Sequence, residues 1–434
     1  MPPRIIIIGA GPTGIGAALR LQELEYPEWH IYEKTAGPGG LSGSLTDAQG
    51  FTWDFGGHIL FPTFSRINSL LQKLGAEFFH LHERRAFIRI QKHLVPYPFQ
   101  NHIDFLPSAL RPEPTSGCHP SPPPENFFQW LTATFGHSLG ELFFFPYNRK
   151  VWNFPLEEMS FHWVTKRISP PGEGAGQQWG PNYTFLYPRR GGMGGLFRQL
   201  ATGFTSHLTY NCEITDIDLD SRQLHTACGH RDSFDFLIST IPLPELTGRI
   251  LRKIPDRVRK AGAGLHWNSC VVTGTAFRQP TTDSFDWTYY PEPDYPFYRV
   301  TALSNYAESL VPEARTESCA SFMTETTVTD SATVPPEKHI ITGLENAALT
   351  KPPVSRSPLT MTRLTLPFAY PIPTLNRDQN LAAIQPFLES QDILSRGRFG
   401  GWKYEVGNMD HSLMQGMEAI DRILLSRPER VYRS

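Results

Sequence analysis

The sequence predicts an α/β fold that opens with a Rossmann-like nucleotide-binding unit, and three observations predict it. An unbroken apolar run, Ile5-Ile6-Ile7-Ile8, leads directly into the glycine pattern Gly9-Ala10-Gly11-Pro12-Thr13-Gly14. A stretch of good helix formers, Ala17 to Leu24, follows at once. A second strand-like run, Trp29-His30-Ile31-Tyr32, ends on an acid, Glu33, nineteen residues after Gly14.

Each piece has a physical task. Gly9 permits the tight strand-to-helix turn, Gly11 lets the backbone approach a pyrophosphate, and Gly14 lets helix and strand pack closely. The helix N-terminus, with Thr13 in its first turn, offers free N–H groups and a partial positive charge to the phosphates. Glu33 stands at the spacing of an acid that accepts hydrogen bonds from a ribose. A second glycine cluster, Gly37 to Gly43, adds Gly40, Leu41 and Ser42 as cofactor contacts, so the first forty residues read as a site for FAD. A lone glycine pattern is a weak signal; strand, helix and acid in sequence make it specific.

A chain of 434 residues has room for two or three domains. Net charge is −2 and the pI is near 6.7, which argues against a nucleic-acid or anionic-membrane surface. The five cysteines are widely spaced and contain no C-x-x-C pair, so neither a disulfide framework nor a zinc site is expected, and no metal is. No signal peptide and no membrane-spanning run is read. The expectation is a cytoplasmic protein in a reducing compartment.

Further along, Phe51 to His58 brings a third glycine pair, Gly56-Gly57. Helical periodicity returns at Ile67–Leu74, and Ala86–Leu94 reads as strand, turn, strand. Residues 111–124 hold six prolines and read as a loop. Phe127–Phe145 reads as a helix rich in aromatics. Strand alternation restarts with Ile214, Ile217 and Leu219. The apolar run up to Ile241-Pro242 predicts a buried parallel strand returning to the first sheet. Residues 265–305 are strand-like, and a last helix is expected from Asp410 to Leu425. The predicted organisation is a discontinuous FAD-binding domain (1–90, 205–265 and 390–434), a mainly helical substrate domain (100–200) and an antiparallel-sheet domain (266–389).

Several segments go beyond fold. They are Gly56-Gly57-His58, Val95-Pro96-Tyr97-Pro98-Phe99-Gln100-Asn101, Pro146 to Trp152, Trp179-Gly180-Pro181-Asn182, Arg190 to Gly195, Pro296-Phe297-Tyr298-Arg299 and Gly397 to Asn408. Together they resemble the UDP-galactopyranose mutase family, its eukaryotic-type branch more than its bacterial one. The match spans nearly the whole chain and is poor around 200–265 and 300–365.

The resemblance implies a glutathione-reductase-type flavoprotein with an inserted helical domain. It implies an isomerase that interconverts the pyranose and furanose forms of a UDP-sugar, UDP-galactose first. FAD would act in its reduced form, its N5 attacking the anomeric carbon while UDP leaves. NADPH or NADH is the implied reductant and a UDP-sugar the partner; oligomeric state is left open.

It also implies roles. The Gly57 carbonyl would accept from flavin N5–H and His58 would sit over the ring. Asn408, Met409 and Ser412 open the last helix beside the flavin, with Met409 where a polar residue is expected. Arg398 would pass the flavin and pyrophosphate, and Ile214 would touch the adenine. Arg167 and Arg299, with Tyr289, Tyr370 and Tyr404, would hold the departing diphosphate, which needs fixed cations and hydroxyl donors. Tyr97 and Phe143 match stacking positions, Gln100 and Asn148 polar contacts, and Trp152 and Asn182 residues facing phosphates and sugar. Phe61 and Arg84 also match site positions. The rival readings are a flavin oxidase of the amine-oxidase or protoporphyrinogen-oxidase class, a non-catalytic binder, and a mutase for another UDP-sugar.

Overall fold

Four consecutive isoleucines leave a strand with no polar face, so it must be covered on both sides. The computed structural model describes residues 2–112, 123–164, 182–279, 285–312, 318–329, 333–349 and 357–433. In it, Ile5–Ile8 is the middle strand of a five-stranded parallel sheet. Trp29–Tyr32 and Phe236–Ser239 flank it, with Ile5 level with Trp29 and with Phe236. Leu208–Thr209 and Ile393–Ser395 form the edges. The strand before Pro242 thus returns to the first sheet, and Thr240 locks it there, donating from its amide (3.1 Å) and hydroxyl (2.8 Å) to the Ile8 carbonyl.

The opening helix, Pro12–Glu23, crosses the last helix, Met409–Leu425, at very short range. A Cβ on Gly16 would lie 2.1 Å from the Leu413 carbonyl oxygen, and one on Gly416 would lie 2.0 Å from that of Thr13. Only glycines permit this contact. It brings the N-termini of both helices toward one cavity. A third helix, Gly192–Ala201, accounts for the Arg190–Gly195 motif. Its first turn sits on buried Asp54, which accepts from Met193 N (3.0 Å), Ser44 Oγ (2.5 Å) and Tyr187 OH (2.7 Å).

The second sheet has seven strands; its longest pairings are those of Trp267–Phe277, second from one edge, which runs antiparallel to Ala320–Val328 and Thr360–Pro371. Arg299–Ala302 and Trp287–Tyr289 follow, and Ala86–Ile90 joins Trp287–Tyr289 in parallel. Against this sheet lies the helical layer. The aromatic helix expected over Phe127–Phe145 is interrupted once: Phe127–Phe135 ends at Gly136 (φ 77°), and a second helical run starts at His137, widens over Gly140–Phe144 and continues as Phe145–Trp152. A left-handed glycine stops the first segment, and Phe135 then stacks on Phe144 at 3.9 Å. Most of the proline-rich stretch 111–124 lies outside the described residues.

One cysteine expectation is corrected. Cys212 and Cys228 form a disulfide. The antiparallel hairpin pairs Ile214 with Thr226, so residues two places outward on each arm face each other. That register is invisible in cysteine spacing alone. Among the described residues, no helix is long and apolar enough to cross a membrane.

Candidate functional site

A cavity of about 780 Å3 runs from Glu33 and Ile214, past Ser42, Gly57 and the start of the last helix, to Tyr289, Tyr370 and Tyr404. At its first end Glu33, 5% exposed, leaves the second strand with both oxygens occupied. Oε2 accepts from Ala10 N (2.6 Å), and Oε1 from Thr35 N (2.8 Å) and Thr35 Oγ1 (2.7 Å). The carboxylate is therefore fixed in the glycine turn, at the cavity wall. Of the predicted cofactor contacts, Gly9, Gly11, Thr13, Glu33, Gly40, Leu41, Ser42, Gly57, Ile214, Arg398, Asn408, Met409 and Ser412 all line the cavity. Gly14 does not: a Cβ there would lie 1.9 Å from the Gly9 carbonyl oxygen, so it serves strand–helix packing.

The residues fit a flavin dinucleotide. A Cβ added at Gly11 would meet no protein atom nearer than 3.8 Å, so that glycine keeps space open rather than relieving a clash. Asp410, in the first turn of the last helix, accepts from Thr63 N and Oγ1 and from His411 N, which fixes that N-terminus at the cavity. His58 Nε2 is buried with no hydrogen-bond partner among the described residues, a donor or acceptor open to something in the cavity. Burial and the nearby Arg398 push the His58 imidazole down to about 4, with Glu325 opposing, so the ring is neutral at pH 7.

At the other end stands Arg299. It donates through Nε, and through Nη2 at 2.7 Å, to the two oxygens of Glu325, whose side chain is 4% exposed. Burial works against the Glu325 carboxylate, but Arg299 overrides it and holds it below the usual range. Both bonds use one edge of the guanidinium; Nη1 remains for the cavity that Arg299 lines. Tyr298 OH donates to Glu325 Oε1 (3.3 Å) and meets Tyr370 OH at 3.0 Å. Gly57 packs on this pair: a Cβ there would lie 2.9 Å from the guanidinium carbon. Arg398, 5.8 Å from the rings of both Tyr370 and Tyr404, donates to the Gly407 and Ala369 carbonyls.

The other predicted residues divide. Phe61, Asn182, Tyr289, Tyr370 and Tyr404 line the cavity. Arg84 is one step back: its Nη1 donates to Asn182 Oδ1 (2.5 Å) and it lies 4.8 Å over the Tyr97 ring. Tyr97 in turn leans on Tyr289 at 5.9 Å. Gln100 is buried and does not line the cavity. Phe143, Asn148 and Trp152 do not line this cavity. Phe143 stacks on Tyr147 (5.2 Å), the Asn148 amide donates to the Phe144 carbonyl of its own helix (2.8 Å), and Trp152 sets its edge against Tyr404 (5.1 Å). They form the wall behind the site. Arg167 lies outside the described residues.

Glu325 was not anticipated. Its signal is a single charge in the middle of the strand Ala320–Val328, a place where an acid needs a buried partner.

The sequence profile described as "Flavin containing amine oxidoreductase" matches residues 12–337. Among solved structures, reduced UDP-galactopyranose mutase is 34% identical, with a TM-score of 0.90, covering 100% of this chain and 96% of that one. An Exiguobacterium sp. 255-15 protein assigned as a protoporphyrinogen oxidase (17% identity, TM-score 0.73, 98% and 100% covered) shares the fold, as does putrescine oxidase with putrescine bound (14%, 0.67, 98% and 99%). Curated relatives match over short segments only. Zeta-carotene-forming phytoene desaturase of Myxococcus xanthus is 45% identical over 12% of this chain, and zeta-carotene desaturase of Zea mays 35% over 17%. The chain spans 10% and 13% of those proteins' lengths. A two-strand nucleotide unit built on Glu33, one cavity joining it to Arg299, and these two extended matches lead to one conclusion: the chain belongs to the flavin-containing amine oxidoreductase family and, within it, to the UDP-galactopyranose mutase family.

Proposed function

We propose that the protein is an FAD-dependent mutase that interconverts the pyranose and furanose forms of a UDP-sugar, UDP-galactose first. The observation that carries this reading is the continuity of the cavity: the helix N-termini and Glu33 at one end, and Arg299, Tyr289, Tyr370 and Tyr404 at the other, share one space. A simple oxidase needs no such cluster of cation and hydroxyls facing its substrate.

When bound and reduced, the flavin supplies a nucleophilic nitrogen to the anomeric carbon. The chain's residues do the rest. Glu33 and the opening helix hold the ribose and pyrophosphate of the cofactor. The N-terminus of the last helix, about half a positive charge, favours an anionic ring beside it. Gly57 and neutral His58 hold that ring without adding a competing cation. The free edge of Arg299 and the tyrosine hydroxyls receive the diphosphate as it departs and hold it for return. Asn182, fixed by Arg84, and Phe61 border the space for the sugar. NADPH or NADH as reductant rests on the family resemblance alone.

The test is dithionite-reduced protein incubated with UDP-galactofuranose and resolved by chromatography. UDP-galactopyranose should appear with reduced protein only. No conversion, or equal conversion by oxidised protein, refutes the reading. Running UDP-glucose and UDP-arabinopyranose beside it identifies the sugar.

A further inference from the structure

Lys150 lies in the Pro146–Trp152 motif, yet it does not line the cavity. Its ammonium is buried against the second sheet. Nζ donates to four backbone carbonyls: Tyr290, Glu292 and Tyr295 at 2.8 Å each and Phe297 at 2.7 Å. All four belong to the turn that links Trp287–Tyr289 to Arg299–Ala302. An ammonium has three N–H bonds, so the four oxygens share them around one central charge. Four carbonyls turned inward repel one another unless a cation stands between them, which is how carbonyl rings bind monovalent cations. Burial pushes the Lys150 ammonium down to about 7, with Glu292 and Asp294 in the same turn opposing it; the four converging acceptors favour the protonated form.

The turn's two ends are the residues that matter. Tyr290 follows Tyr289, and Phe297 precedes Tyr298 and Arg299; the Tyr290 amide donates to the Tyr298 carbonyl at 2.9 Å, closing the loop. The helix that carries Lys150 is anchored independently. Asn268 Nδ2 donates to the Val151 (2.9 Å) and Trp152 (2.8 Å) carbonyls, and Thr327 Oγ1 donates to the Lys150 carbonyl. These bonds cap the last turn of the helix and survive loss of the lysine side chain. A planar guanidinium cannot reproduce a compact ammonium among four converging oxygens.

We propose that Lys150 is a positioning residue: its ammonium is the internal cation of a carbonyl cage that sets the turn 290–297, and so fixes Tyr289 and Arg299 at the diphosphate end of the cavity. This rests on the reading of those two residues as diphosphate contacts.

The experiment measures UDP binding by equilibrium dialysis to FAD-loaded, reduced protein, wild type and Lys150→Ala, in NaCl, KCl and NH4Cl at equal ionic strength. Wild type should bind equally in all three. Lys150→Ala should keep its flavin, bind UDP about tenfold more weakly in NaCl, and regain most of that in NH4Cl, because ammonium can enter the vacated cage; one lost charged contact is of this scale. Affinity within about twofold of wild type in NaCl, or a loss identical in the three salts, overturns the proposal. If wild type itself binds no UDP, the diphosphate reading fails instead. The cage is then judged on melting temperature, where an ammonium-specific rise in Lys150→Ala alone supports it and its absence overturns it. Should Lys150→Ala not fold, Lys150→Arg takes its place. Weakened UDP binding that ammonium does not restore supports the cage, and wild-type binding overturns it.

Discussion

Arg299 is the obvious residue to remove, and the structure says that removing it alone will mislead. Arg299→Met leaves Glu325 ionised, 4% exposed and without its cation. At the 2.7 Å contact, an effective dielectric near 20 gives an attraction of roughly 6 kcal/mol, of which desolvation takes back much. Breaking one side of such a pair costs about 3–5 kcal/mol, while replacing both sides costs far less. So Arg299→Met/Glu325→Gln should be more stable than Arg299→Met by about 3 kcal/mol. The unfolding entropy of 434 residues is roughly 0.9 kcal/mol/K, so the double variant should melt about 3 °C higher. The assay pairs melting of FAD-loaded protein with turnover of a UDP-sugar. The second substitution should restore stability but not turnover, since the guanidinium is gone from both. A double variant that melts at or below the single one would refute the argument, because Glu325 would then not be a stranded charge.

Three further outcomes are expected. Glu33→Ala removes the acceptor of Ala10 N and of Thr35 N and Oγ1; at about 1–3 kcal/mol for a stranded donor, FAD affinity should fall about tenfold or more by fluorescence titration. Asp54 is pushed up to about 6 by burial, against its bonds from Ser44, Tyr187 and Met193. That lies above the unfolded value near 3.9, so the folded chain holds the extra proton and stability drains away as pH rises from about 4 to 6. The stability of wild type minus that of Asp54→Asn should therefore fall by about 3 kcal/mol over this window, and a constant difference would show that the carboxyl is not shifted. Burial, with Arg398 beside it, holds His58 to about 4, so the pH dependence of turnover should carry no His58 limb near 6.5. A limb there that disappears in His58→Asn would mean the ring is protonated in the working enzyme.

What the sequence made legible was what short range encodes. The strand Ile5–Ile8, the glycine turn and Glu33 lie within 29 residues, and their spacing states their geometry directly. The tyrosines and Arg299 were legible only because their neighbours resemble a family; nothing in their own spacing tells a diphosphate contact from packing. Glu325, 26 residues beyond Arg299, became its partner through strand register, since Arg299 and Glu325 are level across adjacent strands. The Cys212–Cys228 bond has the same origin in a hairpin register. The break after Phe135 was misread because apolar periodicity continues through Gly136, while only the positive φ of that glycine ends the helix.

The pairing of Arg299 with Glu325 also sets the charge that this cavity presents to an anion. Two bare arginines in one low-dielectric space would repel, and both oppose a charge on His58. Glu325 neutralises the Arg299 guanidinium, whereas Arg398, on the same cavity, makes no ion pair among the described residues. A diphosphate brings about two negative charges and needs more than that one guanidinium. The remainder has to come from groups that add no further buried cation: the second edge of Arg299 and the hydroxyls of Tyr289, Tyr370 and Tyr404. Such a site attracts an anion without storing the repulsion of bare buried cations. It follows that Glu325→Gln, by freeing one cation, should tighten UDP while lowering stability, a trade that a purely structural carboxylate would not show.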